Sequence, residues 1–492
     1  MGIEQLLPLL MFGALAILLF SGYPVAFVLG GVGLSFALLA ISIDPFLFDW
    51  PQFGSIPSRV YGGIAENLIL TAIPMFILMG TVLERSGVAR DLLNCLQVLL
   101  KRVPGGLALS VTLMGTIMAA TTGIIGASVV MMTLLALPVM MTRQYNIPLA
   151  TGTIAASGTL GILIPPSIML VIMSDLLAKS VGNMFVAAFF PGLILAGLYV
   201  IYIVTLCIFR PTLAPIPDDD FGPRTPGGYL GMVVRSFVPP IFLIFLVLGS
   251  ILLGWATPTE AAGVGAAGAI LLAFINLVVL PSLGIRNDQF ADPGELADLI
   301  DDQAVGGGFF KEFGHFTRVL WSALYSTSMT NAMLFGIFIG ATVFSYVFRS
   351  LGGDDIVVGL VESLGLDSWG LLALLMGLIF FLGFFFDWIE ITLIVLPVFS
   401  PIIASMDFGN HVAGNEVVYW FAILMAINLQ TSFLTPPFGF ALFYMKAVAP
   451  RGVKIQQIYV GIIPFVLLQL IGLGLVIAFP DIALWLPRVL LD

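Results

Sequence analysis

Two stretches of this 492-residue chain gather oxygen-bearing side chains and glycines inside otherwise apolar sequence. The first holds Thr121, Thr122, Gly123, Gly126 and Ser128, then Ser157, Gly158, Thr159 and Gly161, just before the pair Pro165-Pro166. The second holds Gly383, Asp387 and Glu390, then Gln430, Thr431, Ser432 and Thr435, just before Pro436-Pro437. Proline removes a backbone donor and breaks a helix, so each pair leaves carbonyls without intrahelical partners. Free carbonyls and Thr or Ser hydroxyls are the ligands that a bare cation needs at membrane depth. Glycine lets backbones approach closely enough to share it. No histidine or cysteine joins either set, which fits a hard monovalent cation better than a transition metal.

Asp387 and Glu390 have two readings. Ionisable groups at membrane depth are costly and are functional candidates by default. The Asp-x-x-Glu spacing is also that of a helix-capping pair. Both roles stay open, and they are compatible. Asp387 aligns with Ser128 of the first stretch, so the two sites would differ in charge. Glu260, after Pro258-Thr259, reads as a helix-start carboxylate, and Asp175 with Lys179 reads as a helical ion pair. Cys95, Cys207, His315 and His411 lie in no CxxC or HExxH context, so no disulfide framework or catalytic metal is expected. No nucleophile–base pair suggests an enzyme, and no series of charged rings suggests a channel. A self-sufficient carrier is the main alternative to one that works with partners.

The elements that must position these residues are membrane helices. The composition is 60% hydrophobic and 9% charged, against roughly 25% charged in soluble domains. Apolar runs of about 20 residues, the length that crosses a bilayer core of about 30 Å, recur throughout. They predict spans near 5–20, 25–42, 64–84, 148–177, 184–209, 236–256, 260–283, 330–350, 418–446 and 456–480. The start of the chain lacks a basic n-region and is expected to be retained. Residues 211–235 and 285–318 are polar, and the latter reads as a flexible cytoplasmic insert.

Two apolar stretches, 103–142 and 355–406, are broken midway by TTGIIGAS (121–128) and GFFFDWIE (383–390). Charge decides whether they cross or turn back. As re-entrant hairpins they leave ten spans and both termini outside. Of the 18 Lys and Arg residues, 14 then fall inside and 4 outside, the bias expected of an inner-membrane protein. The first hairpin then enters from the cytoplasm and the second from the periplasm.

The hairpins also match in sequence. TLLALPVM (133–140) parallels TLIVLPVF (392–399), and SGTLGILIPPS (157–167) parallels LQTSFLTPPFG (429–439). Hairpin plus broken helix, inserted twice from opposite faces, is an inverted-topology repeat, which places substrate and ion sites at mid-bilayer where the copies meet. The fold expected is an all-α polytopic membrane protein of about ten transmembrane helices with two re-entrant hairpins.

Four segments carry a family resemblance: PMFILMGTVLERSGVARDLL (74–93), YNIPLATGTIAASGTLGILIPPSIML (145–170), GWATPTEAAGVGA (254–266) and TSFLTPPFGFALFY (431–444). The chain resembles the large membrane subunit of tripartite ATP-independent periplasmic (TRAP) transporters over nearly its whole length, the insert near 285–318 excepted. The resemblance implies elevator-type scaffold and transport domains, and sodium-coupled uptake of an organic acid. It also implies a small four-helix membrane subunit, as a separate polypeptide, and a periplasmic substrate-binding protein. Nucleic acid has no part in it. Carried onto this chain, the ion sites fall at 121–128 with 157–161 and at 383–390 with 430–435. The expected division is 1–102 scaffold, 103–183 first transport repeat, 184–354 connecting and scaffold helices, 355–455 second transport repeat, and 456–492 a C-terminal helix. The tip TTGIIGASVV departs from the serine-rich tip of sialic-acid-type members and points to the subgroup named for mannitol and chloroaromatic compounds.

Overall fold

The computed structural model describes residues 3–122, 125–216, 222–223, 225–283, 309–436 and 439–491, and among them all regular structure is helical. The chain begins with α1 (Ile3–Phe20), α2 (Val25–Ile43), the short α3 (Trp50–Val60), α4 (Ala72–Arg85) and α5 (Val88–Leu100). A hairpin follows, α6 (Gly106–Thr122) and α7 (Ile125–Thr142), then a two-piece helix, α8 (Ile147–Thr159) and α9 (Ile168–Leu176), and the long α10 (Val181–Phe209). Connecting helices are α11 (Pro226–Ser236), α12 (Val238–Leu252), α13 (Pro258–Phe274) and α14 (Leu280–Ser282). The second half comprises α15 (Phe309–Ser350), α16 (Gly353–Ser363), the hairpin α17 (Ser368–Leu382) and α18 (Trp388–Ser405), and the two-piece α19 (Val417–Leu434) and α20 (Phe440–Val448). It closes with α21 (Ile455–Ala478) and α22 (Asp481–Leu491).

Among the described residues nine helices are long and apolar enough to cross a membrane, or up to eleven with two bent pairs each taken as one span. Every expected span falls on a helix or a two-piece helix, so the chain is the helical polytopic membrane protein its hydropathy describes. Caps set several of the starts. Thr257 and Glu260 form the capping box of α13, Asp367 caps α17, and Asn146 caps α8 with Pro148 in the first turn.

The repeat extends further than the sequence match. Elements α4 to α10 recur in order as α15 to α21. Both α4 and α15 carry an arginine in the last turn, Arg85 and Arg349. Each is followed by a left-handed glycine, Gly87 (φ 81°) or Gly352 (φ 78°), which starts the short helix α5 or α16. α4 and α5 meet at 59°, and α16 and α17 at 119°. The stretch 355–406 is therefore a separate helix followed by a hairpin, rather than a hairpin alone.

Three local expectations need correction. Residues 309–318 are the first turns of α15 and not part of a flexible insert. Phe309, Phe313 and Phe316 fall on one helix face, and buried Phe316 packs on Phe274 at 5.4 Å between ring centroids. Residues 284–308 lie outside the described residues. In the polar stretch 211–235, residues from Pro226 onward form α11, capped by Thr225, with Met232 buried against Cys95 and Val98. Asp175 does not pair with Lys179, because α9 ends at Leu176 and Ala178 turns left-handed (φ 50°). Asp175 instead accepts from Asn67 Nδ2 at 2.8 Å, and Lys179 lies over the Tyr419 ring.

α15 packs on α2, α4 and α13, and α13 packs on α4, while α8 is enclosed by α6, α7 and α21, α19 lies against α17 and α21, and α6 also reaches α4 and α5. The long α10 packs with α6, α9, α21 and α22. Glycines allow the closest crossings. A Cβ on Gly340 of α15 would overlap the Ala26 carbonyl of α2, and one on Gly461 of α21 would overlap the Pro148 carbonyl of α8. Without a hydrophobic force between helices in lipid, such small-residue contacts carry the association. Gly461→Leu is therefore expected to lower stability by about 1–3 kcal/mol or more through overpacking. Gly13→Ala, where nothing lies within 4 Å, should leave it nearly unchanged. Thermal unfolding of the purified protein in detergent compares the two.

Candidate functional site

The site is built around the two helix breaks. α8 ends at Thr159, passes through one 3-10 turn (Leu160–Ile162), and reaches α9 through Pro165 and Pro166, joined by a cis peptide bond. Ser167 precedes α9, and its hydroxyl donates to the Ile162 carbonyl at 2.7 Å. In the second copy α19 ends at Leu434, and Thr435 is extended (φ −93°, ψ 127°). The Gly439 N–H reaches the Thr435 carbonyl at 3.2 Å before α20 begins. Pro436 lies in this break; Pro437 is outside the described residues. Both breaks end the most enclosed helices of the fold: α8 is buried from Leu149 to Thr159, and α19 throughout except at Tyr419. Irregular backbone at membrane depth requires such cover.

The two copies touch at this point. Gln430 Nε2 of α19 donates to Thr159 Oγ1 of α8 at 3.3 Å, and Thr159 Oγ1 donates to the Ala156 carbonyl at 2.9 Å. Gln430 Oε1 is buried without a hydrogen-bond partner among the described residues. An orphaned buried amide oxygen costs free energy unless something fills it. Thr431, Ser432 and Thr435 donate their hydroxyl protons to the carbonyls of Ile427 (2.9 Å), Leu429 (2.8 Å) and Thr431 (2.8 Å). A hydroxyl that has spent its proton keeps its lone pairs for another partner. This donor set fits a cation that takes oxygen ligands.

The remaining candidates divide. Gly158 brings α8 against α7, since a Cβ there would come within 3.3 Å of the Val129 backbone, beside buried Ser128. Ser157 faces the other way, toward Thr112 of α6 at 3.4 Å. Gly161 lies buried in the 3-10 turn. Thr121 and Thr122 end α6, but their side chains, like all of Gly123, lie outside the description.

The hairpin tips are not equivalent. α7 starts eight residues before the shared TLLALPVM segment, whereas α18 starts only four before TLIVLPVF. Ser128 thus sits inside a helix, and its sequence partner Asp387 sits just ahead of one. Asp387 is the N-cap of α18: it accepts from Trp388 N at 2.8 Å, and Glu390 accepts from Asp387 N at 3.1 Å. The capping reading is therefore fulfilled, and both carboxylates are held at the tip by it. The same tip is pinned to the second break, because a Cβ on Gly383 would overlap Ser432.

Packing across the repeats ties the halves together. α7 of the first hairpin packs on α20 of the second broken helix, and α18 of the second hairpin packs on α9 of the first. Residues 12–482 match the family described as "Tripartite ATP-independent periplasmic transporter, DctM component". The chain belongs to this TRAP transporter family. It is 28% identical to the C4-dicarboxylate TRAP transporter large permease protein of Rhodobacter capsulatus, over 98% of this chain and 99% of that one. The corresponding Pseudomonas aeruginosa protein is 29% identical over 93% of each chain. A sialic acid TRAP transporter large permease from Vibrio cholerae is 25% identical over 96% of this chain and 97% of that one. The Alcanivorax borkumensis YdaH transporter shares the fold, with a TM-score of 0.59 at 14% identity over 98% of both chains. The chain is thus a TRAP large permease, a membrane component for uptake of organic solutes and not an enzyme. As a family trait such permeases work with a small membrane subunit and a periplasmic binding protein.

Tyr444 is the site residue that sequence reasoning passed over. It lies on α20, 46% exposed, with its ring 3.0–3.3 Å from where a Cβ on Gly126 of the first tip would stand. The phenol of this TRAP permease thus joins the second broken helix to the first hairpin tip. Only its place at the end of TSFLTPPFGFALFY could have marked it. The pinned tip offers a direct check. Gly383→Ala, whose Cβ would overlap Ser432, is expected to abolish uptake by the reconstituted transporter. Equal uptake by Gly383→Ala and the native protein would show that the tip does not need this approach.

Proposed function

We propose that this permease is the sodium-coupled, elevator-type carrier of an organic acid delivered by a periplasmic binding protein. The observation that carries the reading is the Thr159–Gln430 contact between the two broken helices, with the orphaned Gln430 oxygen beside it. Sodium is cargo here. Gln430, Thr431, Ser432 and Thr435, with Asp387, are the proposed ligands on the second side. Ser128, Gly126, Thr159 and the residues near 121–123 are those on the first. Solute would occupy the space between the tips, bordered by Tyr444.

The moving body is proposed to be the block around α8 and α19, and the fixed body the block around α2 and α15. In this division α10 and α21 travel with the hairpins, because that is where they pack. The proposed setting is the bacterial inner membrane with both termini periplasmic, as the distribution of Lys and Arg favours.

Energetics favour coupling to an ion gradient. One charge crossing about 100 mV contributes about 2.3 kcal/mol. Release of a solute from a micromolar binding protein costs about 8 kcal/mol. Even two net charges moved by voltage alone fall short, so an ion concentration gradient or consumption of the solute inside must add the rest.

Two tests follow. With both partner subunits present in proteoliposomes, uptake is expected to fall to background when choline replaces sodium; full-rate uptake without sodium would refute the coupling. Asp387→Asn is the sharper variant, because asparagine caps helices as well as aspartate and removes only the charge. It is expected to raise the sodium concentration for half-maximal uptake more than Glu390→Gln does. Identical sodium titrations for both variants and the native protein would sink the assignment of Asp387.

A further inference from the structure

Hairpin arm α18 contains two prolines one helical turn apart, Pro397 and Pro401. In an α-helix the carbonyl of residue 397 accepts from the N–H of residue 401. Proline has no N–H, so the Pro397 carbonyl has no such donor in its own helix. The structure supplies one from outside: the Arg349 guanidinium, in the last turn of α15, donates to that carbonyl. Arg349 Nε also lies 3.5 Å from Asp354 Oδ2 at the start of α16. Both of those side chains are partly exposed, and exposed ion pairs contribute little. The carbonyl is a further claim on the arginine, because it has no donor at residue 401 of its own helix and a bond from a charged donor is stronger than one between neutral groups.

The repeat supplies an internal control. In the first copy Pro138 stands where Pro397 stands in the second, but Thr142 replaces Pro401. Thr142 keeps its N–H, and its hydroxyl also reaches the Pro138 carbonyl at 3.2 Å. Arg85, the counterpart of Arg349, turns to Ser322 of α15 instead. An arginine at the end of the preceding helix therefore recurs in both copies, but it bonds a hairpin carbonyl only where the second proline has orphaned one.

We infer that Arg349 is a positioning residue for transport: it clamps α18 of the second hairpin to α15 through the carbonyl that Pro401 leaves without a donor. The clamp holds one arrangement of the two blocks, and it must release when the hairpin block travels. This rests on the reading that the hairpin block moves against α15. A second polar contact joins the blocks beside α9, between Asn67 and Asp175 at 2.8 Å. The positive-inside layout places Asp175 and Arg349 toward the same, periplasmic side. The clamp thus favours one end of the cycle.

The test reads block position directly. Spin labels are placed at Ile339→Cys on α15 and Ala404→Cys on α18, both exposed positions, in a chain whose native Cys95 and Cys207 are buried. The full chain is reconstituted in lipid with its small membrane subunit, in sodium chloride and in choline chloride, and the distance distribution is recorded. Arg349→Met is expected to change the ratio of the two distance populations about tenfold, the scale of a lost charged hydrogen bond. Arg349→Lys, which keeps a donor, should stay closer to the native ratio. In the Pro401→Ala background, where residue 401 regains its N–H, Arg349→Met should change the ratio less than about threefold, since the carbonyl stays satisfied. If Arg349→Met does not fold, Arg349→Leu, which likewise has no donor, is read by the same rule. An unmoved ratio, or an equal change with and without Pro401, overturns the clamp alone. One distance in the native protein and in every variant overturns the block motion, and the clamp with it.

Discussion

Backbone polar groups have nowhere to go in hydrocarbon, and this constraint arranges the rest of the molecule. A helix that breaks at membrane depth exposes carbonyls and amides that only protein, water or an ion can satisfy. The chain breaks two helices, and it surrounds the pieces leading into both breaks almost completely. Glycines admit the covering helices closely, as where Gly461 of α21 meets α8 and Gly158 of α8 meets α7. Satisfying the breaks from within uses Ser167 and the hydroxyls of α19. Gln430 Oε1, where the copies meet, is one of the buried oxygens left without a partner among the described residues, and it is the one that lies at the breaks.

The two copies share a template but not their chemistry. The returning arm α18 starts a turn later than α7 relative to the shared segment, which frees a linker for a carboxylate N-cap. The first tip offers hydroxyls and glycine at corresponding positions. An inverted repeat can exchange the conformations of its halves only if both are competent in either shape. Under the proposed mechanism, differences such as Pro401 against Thr142 would bias that exchange without preventing it.

Much of this was legible in the sequence, for physical reasons that differ by feature. The paired Pro-Pro breaks and the shared TLxxLPV segments were visible because proline acts on its own backbone wherever it stands. The Asp387-x-x-Glu390 cap was readable as spacing and is formed as such. The last turns of α4 and α15, with Arg85 and Arg349 ahead of left-handed glycines, were not read as a repeat because the helices that follow diverge in sequence. The first turns of α15 were mistaken for loop because Lys311, Glu312 and His315 mask the buried spacing of Phe316 against Phe274. Tyr444 was missed because its role depends on which glycine faces it across the repeat, a tertiary fact with no local signal.

The candidate residues at the tips and breaks include Asp387 and Glu390, and none of them is basic. An organic anion brought there alone would add like charge: at about 6 Å and an effective dielectric near 20, each such pair costs about 3 kcal/mol. A cation bound beside the carboxylates reverses that sign and turns repulsion into attraction. The anion's affinity then depends on the cation's presence, and by linkage the cation's affinity depends on the anion to the same degree. Under the proposed function, coupling would need no separate device: it would follow from placing acidic caps and oxygen ligands, rather than arginines, at the proposed solute site.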